Sequence, residues 1–300
     1  MDLSGRNKRH IILGSALALL SAVAFALSNT SASLAFHGGS NPLTLAAVRF
    51  VLPIVVLTIW LKAQGRPLSL PKRDGWIAII LGVVTAIYTG ALLNAIGLIP
   101  LSLAVLIFYL YPLIATVIIG VFGWERLGWK TIAAIIIAFA GLALALNPSA
   151  AGLNLKGVLL GFVAAIGLGI VVVMSSRVLR ASDSRPVTLY MASVAAILLI
   201  GFCAMQGDFT LPRTAMGWSG FIAAAFFYAF AMITFFIAIS MIGPTRSSML
   251  SYAEPVVAAG LGVILIGEKL TSIQIFGIAV VIAALIGSTL LKQEPRKSEG

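Results

Sequence analysis

Uncharged apolar runs of about 20 residues recur from one end of this 300-residue chain to the other. Each is long enough to cross the ~30 Å hydrocarbon core of a bilayer as a helix. No water reaches backbone groups at that depth, so only helices or a closed barrel can span it. A barrel needs short segments that alternate polar and apolar residues, and these runs do not alternate. Composition agrees, with 60% hydrophobic residues, 10% charged residues and a mean hydropathy of +1.10. Soluble domains are about one-quarter charged. The chain therefore reads as an all-α membrane protein.

Spans are expected at about residues 11–35, 42–62, 75–97, 100–122, 129–147, 157–177, 187–206, 215–241, 245–266 and 273–291, ten in all. The third and fourth must be separate, because one helix over 77–123 would be on the order of 70 Å long. Gly97 and Pro100 supply the turn between them, as Gly243 and Pro244 do between the eighth and ninth. With the N-terminus taken as cytoplasmic, 16 Lys and Arg fall on the cytoplasmic side. Three fall on the other (Lys156, Arg213 and Lys269), and Arg49 lies inside a span. This bias orients multi-pass proteins, and here it puts both termini in the cytoplasm of a bacterial inner membrane.

The net charge of +11 needs no nucleic acid, because the basic residues sit in short gaps that suit an anionic leaflet. Ala24, Phe25 and Ala26 resemble a signal-cleavage site after Arg6, Lys8 and Arg9. The apolar run continues to Phe36, however, so it reads as a retained span. The single cysteine, Cys203, excludes an intramolecular disulfide, and the two histidines, His10 and His37, lie outside the spans or at their ends. No metal or cofactor is expected.

Shifting the chain against itself by 143 residues aligns Gly14 with Gly157, Tyr109 with Tyr252, Pro112 with Pro255, Glu125 with Glu268 and Leu127 with Leu270. Over this stretch "YLYPLIATVIIGVFGWERLGW" (109–129) parallels "YAEPVVAAGLGVILIGEKLTS" (252–272) without a gap. Each half holds five spans, an odd number, so the second half enters the membrane from the opposite side. The fold class is thus ten transmembrane helices as two inverted five-helix repeats, with domains at 1–150 and 151–292 and a cytoplasmic tail at 293–300. Inverted repeats are a common plan for secondary transporters, whose site lies near the midplane at the repeat interface.

The five-span repeat, the "AAVRF" of span two, the proline of spans four and nine, and the "GWERL" and "GEKLT" that follow resemble the EamA-type branch of the drug/metabolite transporter superfamily. The resemblance covers nearly the whole chain. It implies a ten-helix transporter, commonly an exporter of amino acids or related metabolites. In particular, the chain resembles bacterial aromatic amino acid exporters. Small four-helix members of the superfamily carry a coupling glutamate in their first helix; spans one and six here have none.

Ionisable residues at membrane depth are costly and need a reason. Two qualify here, Arg49 in span two and Glu254 in span nine. Arg49 is read as a structural charge that snorkels toward the headgroups or binds carbonyls near Pro53. Three roles stay open for Glu254: a protonatable coupling group, a ligand for a substrate amine, or a neutral acid donating to a carbonyl bared by Pro255. Their repeat partners are Ala192 and Tyr111, so each acts in one half only.

Ser102, Tyr109, Pro112 and Thr116 share one face of span four, and Thr245, Tyr252, Pro255 and Ala259 are their span-nine relatives. Tyr109 and Tyr252 are expected at similar depth, lining a cavity for a partly apolar substrate. Asn29, Tyr88 and Asn94 join them as candidate substrate ligands, because an unpaired polar group in lipid is costly. Ser28, Ser175, Ser176, Tyr228 and Thr234 are also at depth, and the Ser and Thr among them are expected to bond backbone. Pro53, Pro112 and Pro255 are expected as kinks that absorb gating motion. Gly161, Gly167 and Gly169 are read as packing or hinge positions. Glu125 and Glu268 are read as helix-end ion pairs with Arg126 and Lys269.

The expected function is a secondary transporter exporting amino acids, aromatic or otherwise neutral, or related small metabolites by alternating access. Its partners are then a small-molecule substrate and the lipid bilayer, and a monomer suffices. The alternatives are a channel or a non-transporting membrane subunit. An intramembrane enzyme is disfavoured, because no histidine lies at depth and Lys62, Lys156 and Lys292 sit at span ends, leaving a buried Ser without a base.

Overall fold

Proline lacks the N–H that would bond the carbonyl four residues earlier, and in this protein helices break where that predicts. A computed structural model describes residues 3–124, 128–147, 154–181, 183–266 and 270–290. Span one is α1 (Leu3–His37). Span two is α2 (Pro42–Arg49) and α3 (Val51–Ala63), divided at Phe50, three residues before Pro53. Span three is α4 (Lys72–Ile96). Span four is α5 (Leu101–Phe108) and α6 (Tyr111–Val121), divided at residues 109–110 just before Pro112.

Spans five to eight are α7 (Trp129–Leu146), α8 (Leu155–Ala181), α9 (Ser184–Gln206) and α10 (Ala215–Ile242). Span nine is α11 (Pro244–Leu250) and α12 (Ala253–Leu261), divided at residues 251–252 before Pro255 and continued by a π-helical turn over Gly262–Ile266. Span ten is α13 (Ser272–Leu290). Among the described residues, nine spans are long and apolar enough to cross a bilayer, and α13 adds an apolar stretch over Ser272–Gly287. Among the described residues there is no strand. Glu125, Arg126, Glu268 and Lys269, expected as helix-end ion pairs, lie outside the described residues.

The packing follows the inverted repeat. Span one packs along span eight (α1 on α10), and its repeat counterpart, span six, packs along span three (α8 on α4). Spans five and ten pair with each other, as do spans two and seven. Close approach depends on small residues. A Cβ on Gly220 of α10 would lie 2.7 Å from the Ser31 carbonyl of α1, and one on Gly277 of α13 would lie 2.6 Å from the Gly141 carbonyl of α7. The expected packing glycines behave alike: Cβ atoms on Gly161, Gly167 and Gly169 of α8 would meet Ile107 at 3.0 Å, Tyr88 at 2.6 Å and Ile114 at 3.1 Å.

The connecting segments sort into two groups. On one side, Asn41 caps α2 by accepting from the Thr44 N–H at 2.7 Å, and its amide donates to Asp208, beyond α9, at 2.7 Å. On the other, the Arg66 guanidinium pairs with Asp183 at 3.0 Å, joining the segment after span two to the one after span six. Asp183 also accepts from Arg185 Nε at 2.9 Å, and this bond is the main reason its carboxyl is held below the usual carboxylate range.

Candidate functional site

Where α12 begins, the acid of span nine meets span one. Glu254 Oε1 accepts a hydrogen bond from Asn29 Nδ2 at 2.9 Å, joining positions 225 residues apart. The Tyr109 hydroxyl of span four approaches the same carboxyl group, and Tyr111 and Arg49 lie close enough for electrostatic interaction with it. Asn29 is exposed and Glu254, Arg49 and Tyr88 are only partly covered, although Glu254 and Tyr88 lie deep in the bundle. These groups therefore stand outside the close-packed core.

The third role considered for Glu254 is not what the structure shows. Pro255 bares the carbonyl of Ser251, but the backbone N–H of Glu254 bonds that carbonyl at 3.0 Å in a tightened turn. The carboxylate is left free to turn toward Asn29. The break thus satisfies itself locally, and the acid bonds across to span one.

Tyr109 and Tyr252 lie side by side, with ring centroids 5.9 Å apart. Tyr252, however, is not a cavity residue. It is 0% exposed, and its hydroxyl donates at 3.0 Å to the backbone carbonyl of Tyr109, a bond across the repeat offset of 143 residues. Tyr109 is 4% exposed, so its ring is packed, while its hydroxyl end approaches Glu254. The physical reason is that spans four and nine touch at their breaks, where backbone carbonyls leave the helical ladder and attract donors.

Arg49 also departs from expectation. Rather than snorkelling, its guanidinium turns inward, with Cζ 4.1 Å from the ring centroid of Tyr228 and 5.8 Å from that of Phe50. A cation over an aromatic face is attracted by the ring quadrupole, strongly so where water is scarce. Edge contacts of Tyr228 with Phe25 (5.7 Å) and Phe50 (5.2 Å) hold that face in place. The Arg49 Nε is buried and has no hydrogen-bond partner among the described residues.

Tyr88 lies within electrostatic reach of Arg49 and has its ring 6.3 Å from Phe108, which in turn is 6.0 Å from Tyr109 and 5.9 Å from Tyr111. An aromatic wall thus runs from Arg49 to Glu254. Tyr111 and Phe108 join this cluster without being among the expected ligands, although Tyr111 stands at the repeat position of Glu254, a signal present in the sequence. Asn94 is not brought to the cluster. It is exposed near the end of α4, and its amide donates to the Gly90 carbonyl at 2.8 Å.

Most of the hydroxyls bond backbone as expected. Ser28 donates to the Ala224 carbonyl of α10 at 2.8 Å, while Thr116, Ser176 and Thr234 each bond their own helix at 2.7 Å. A groove of about 360 Å³ lined by Ile54, Thr58, Ile79, Leu189, Tyr190, Ser193 and Val194 includes none of the cluster residues.

The EamA-like transporter family model matches residues 12–147 and again 155–290. The chain is 25% identical to an uncharacterized transporter of Archaeoglobus fulgidus over 274 residues, 91% of this chain and 95% of that one. It is 26% identical to the uncharacterized inner membrane transporter YedA of Escherichia coli over 84% of this chain and 82% of that one. It is 30% identical to the threonine/homoserine exporter RhtA of Salmonella typhimurium over 54% of this chain and 56% of that one. A solved crystal structure superposes with a TM-score of 0.80 over 93% of this chain and 99% of the other at 21% identity, a likeness of fold alone.

Proposed function

The chain belongs to the EamA-like transporter family, and on that premise we propose that it is a secondary transporter exporting neutral amino acids, aromatic ones among them, or related small metabolites by alternating access. The observation that carries this reading is the Asn29 to Glu254 hydrogen bond, in which helices from the two repeats meet at a polar, partly accessible point. Midplane sites at repeat interfaces are where such carriers hold their substrates. Asn29, Tyr88, Tyr109 and Glu254 contact the substrate in this reading, with the Glu254 carboxylate accepting from its amine. Tyr252 holds Tyr109 in place, and Pro53, Pro112 and Pro255 mark the points where the spans flex between states. The division into repeats at 1–150 and 151–292 supplies the two bodies that rock. The name of the RhtA relative supports export of amino acids, and that of YedA supports an inner-membrane location. The excess of Lys and Arg supports cytoplasmic termini.

The test is counterflow into proteoliposomes over a panel of amino acids. Flux that saturates, and that one substrate accelerates from the opposite side, is expected; flux that stays linear in concentration points to a channel. Tyr88→Ala and Glu254→Gln are expected to reduce transport while the protein stays folded and monodisperse. Wild-type rates in both remove these residues from the site.

A further inference from the structure

Arginine remains charged at any physiological pH and presents five donors in a planar fork. Arg49 uses one face of that fork on Tyr228, 4.1 Å away, and its buried Nε has no hydrogen-bond partner among the described residues. No described carboxylate lies within ion-pair distance of it. A half-buried cation with no carboxylate in contact is costly at membrane depth, and such residues mark substrate or ion pathways. Glu254 is the acid nearest to it in the site, with one oxygen engaged by Asn29. The two charges interact without touching, and the aromatic wall of Tyr88 and Phe108 runs between them.

We propose that Arg49 is the ligand for the substrate's α-carboxylate, acting opposite Glu254 on the α-amine, so that the site selects free zwitterionic amino acids. The inference rests on the transporter reading above and sharpens its substrate class. The fork matches a carboxylate in bidentate geometry, which is where arginine differs from lysine. Two opposite charges held apart reject a molecule that offers only one, because the missing group leaves its protein partner buried and unpaired. The substrate side chain then lies against Tyr88 and Phe108, whose ring faces suit an apolar or aromatic group.

The test uses the full chain in proteoliposomes loaded with labelled phenylalanine or, separately, threonine. Unlabelled phenylalanine, phenylalanine methyl ester and N-acetylphenylalanine compete in turn. The wild type is expected to bind the free amino acid at least about tenfold more tightly than either derivative. Arg49→Gln is expected to abolish the discrimination against the ester while keeping that against the N-acetyl compound, and Glu254→Gln the reverse. Arg49→Lys, which keeps charge but not the fork, is expected to retain part of the ester discrimination. Independently of any variant, phenylalanine and not its ester is expected to raise the melting temperature of the wild type in detergent. Counterflow in which Arg49→Gln discriminates as the wild type does, or equal stabilisation by ester and free acid, overturns this inference alone. A wild type that moves no amino acid overturns the transporter reading together with it.

Discussion

Removing the Tyr252 hydroxyl tests whether the two repeats are tied at their breaks. Tyr252→Phe keeps the ring, hence the 5.9 Å contact with Tyr109, and deletes only the donor to the Tyr109 carbonyl at 3.0 Å. A neutral hydrogen bond is worth about 0.5–1.5 kcal/mol net, and a buried acceptor left without it costs more. Interhelical bonds inside membranes average about 0.6 kcal/mol and reach about 1.7, because the unfolded chain in lipid finds other partners. Tyr252 is wholly buried and its acceptor sits where helical bonding is interrupted, so a loss of about 1–1.7 kcal/mol is expected. In a chain of this size that lowers the melting temperature by roughly 2–3 °C. The assay is thermal unfolding of purified protein in detergent, wild type beside Tyr252→Phe. If Tyr252→Phe melts with the wild type, the tie contributes nothing and the reasoning fails.

Gly167→Ala puts a methyl 2.6 Å from the Cβ of Tyr88, so the site wall must shift; a destabilisation of about 1–3 kcal/mol with reduced counterflow is expected. Gly277→Val in α13 drives a branched side chain into the Gly141 carbonyl at 2.6 Å, a backbone atom that cannot rotate away, and a larger loss of melting temperature than for Gly167→Ala checks this. Asp183→Asn removes the shared partner of Arg66 and Arg185. Because the carboxyl is held below its ordinary value in the fold, its contribution is present above the unfolded value of about 3.9 and is lost as pH falls through the lower folded one. Melting curves should therefore draw together for wild type and Asp183→Asn as pH falls below about 4, from a gap under about 1 kcal/mol for a partly exposed pair.

The site was legible in parts, and the parts divide by the kind of information they need. Glu254 and Arg49 stood out because an ionisable group at depth is rare, whatever surrounds it. The similar depth expected for Tyr109 and Tyr252 followed from their common offset. What Tyr252 does with its hydroxyl did not follow, because it depends on spans four and nine touching at their breaks. Asn94 looked like a ligand by residue type alone, yet α4 ends two residues later and its amide bonds its own helix.

The sequence by itself determined the number of spans, their inverted repeat, the proline breaks and the sorting of the basic segments. Each of these depends on length along the chain or on local backbone chemistry, which tertiary contacts do not alter. Only the tertiary structure decided which way the deep polar groups face. In a soluble protein the polar face of a helix points to water, but lipid is as apolar as the protein interior, so these spans are hydrophobic all round and carry no stripe to read. Hence Arg49 could be placed at depth from the sequence, while its turn away from the headgroups and over Tyr228 emerged only once spans one, two and eight were packed around it.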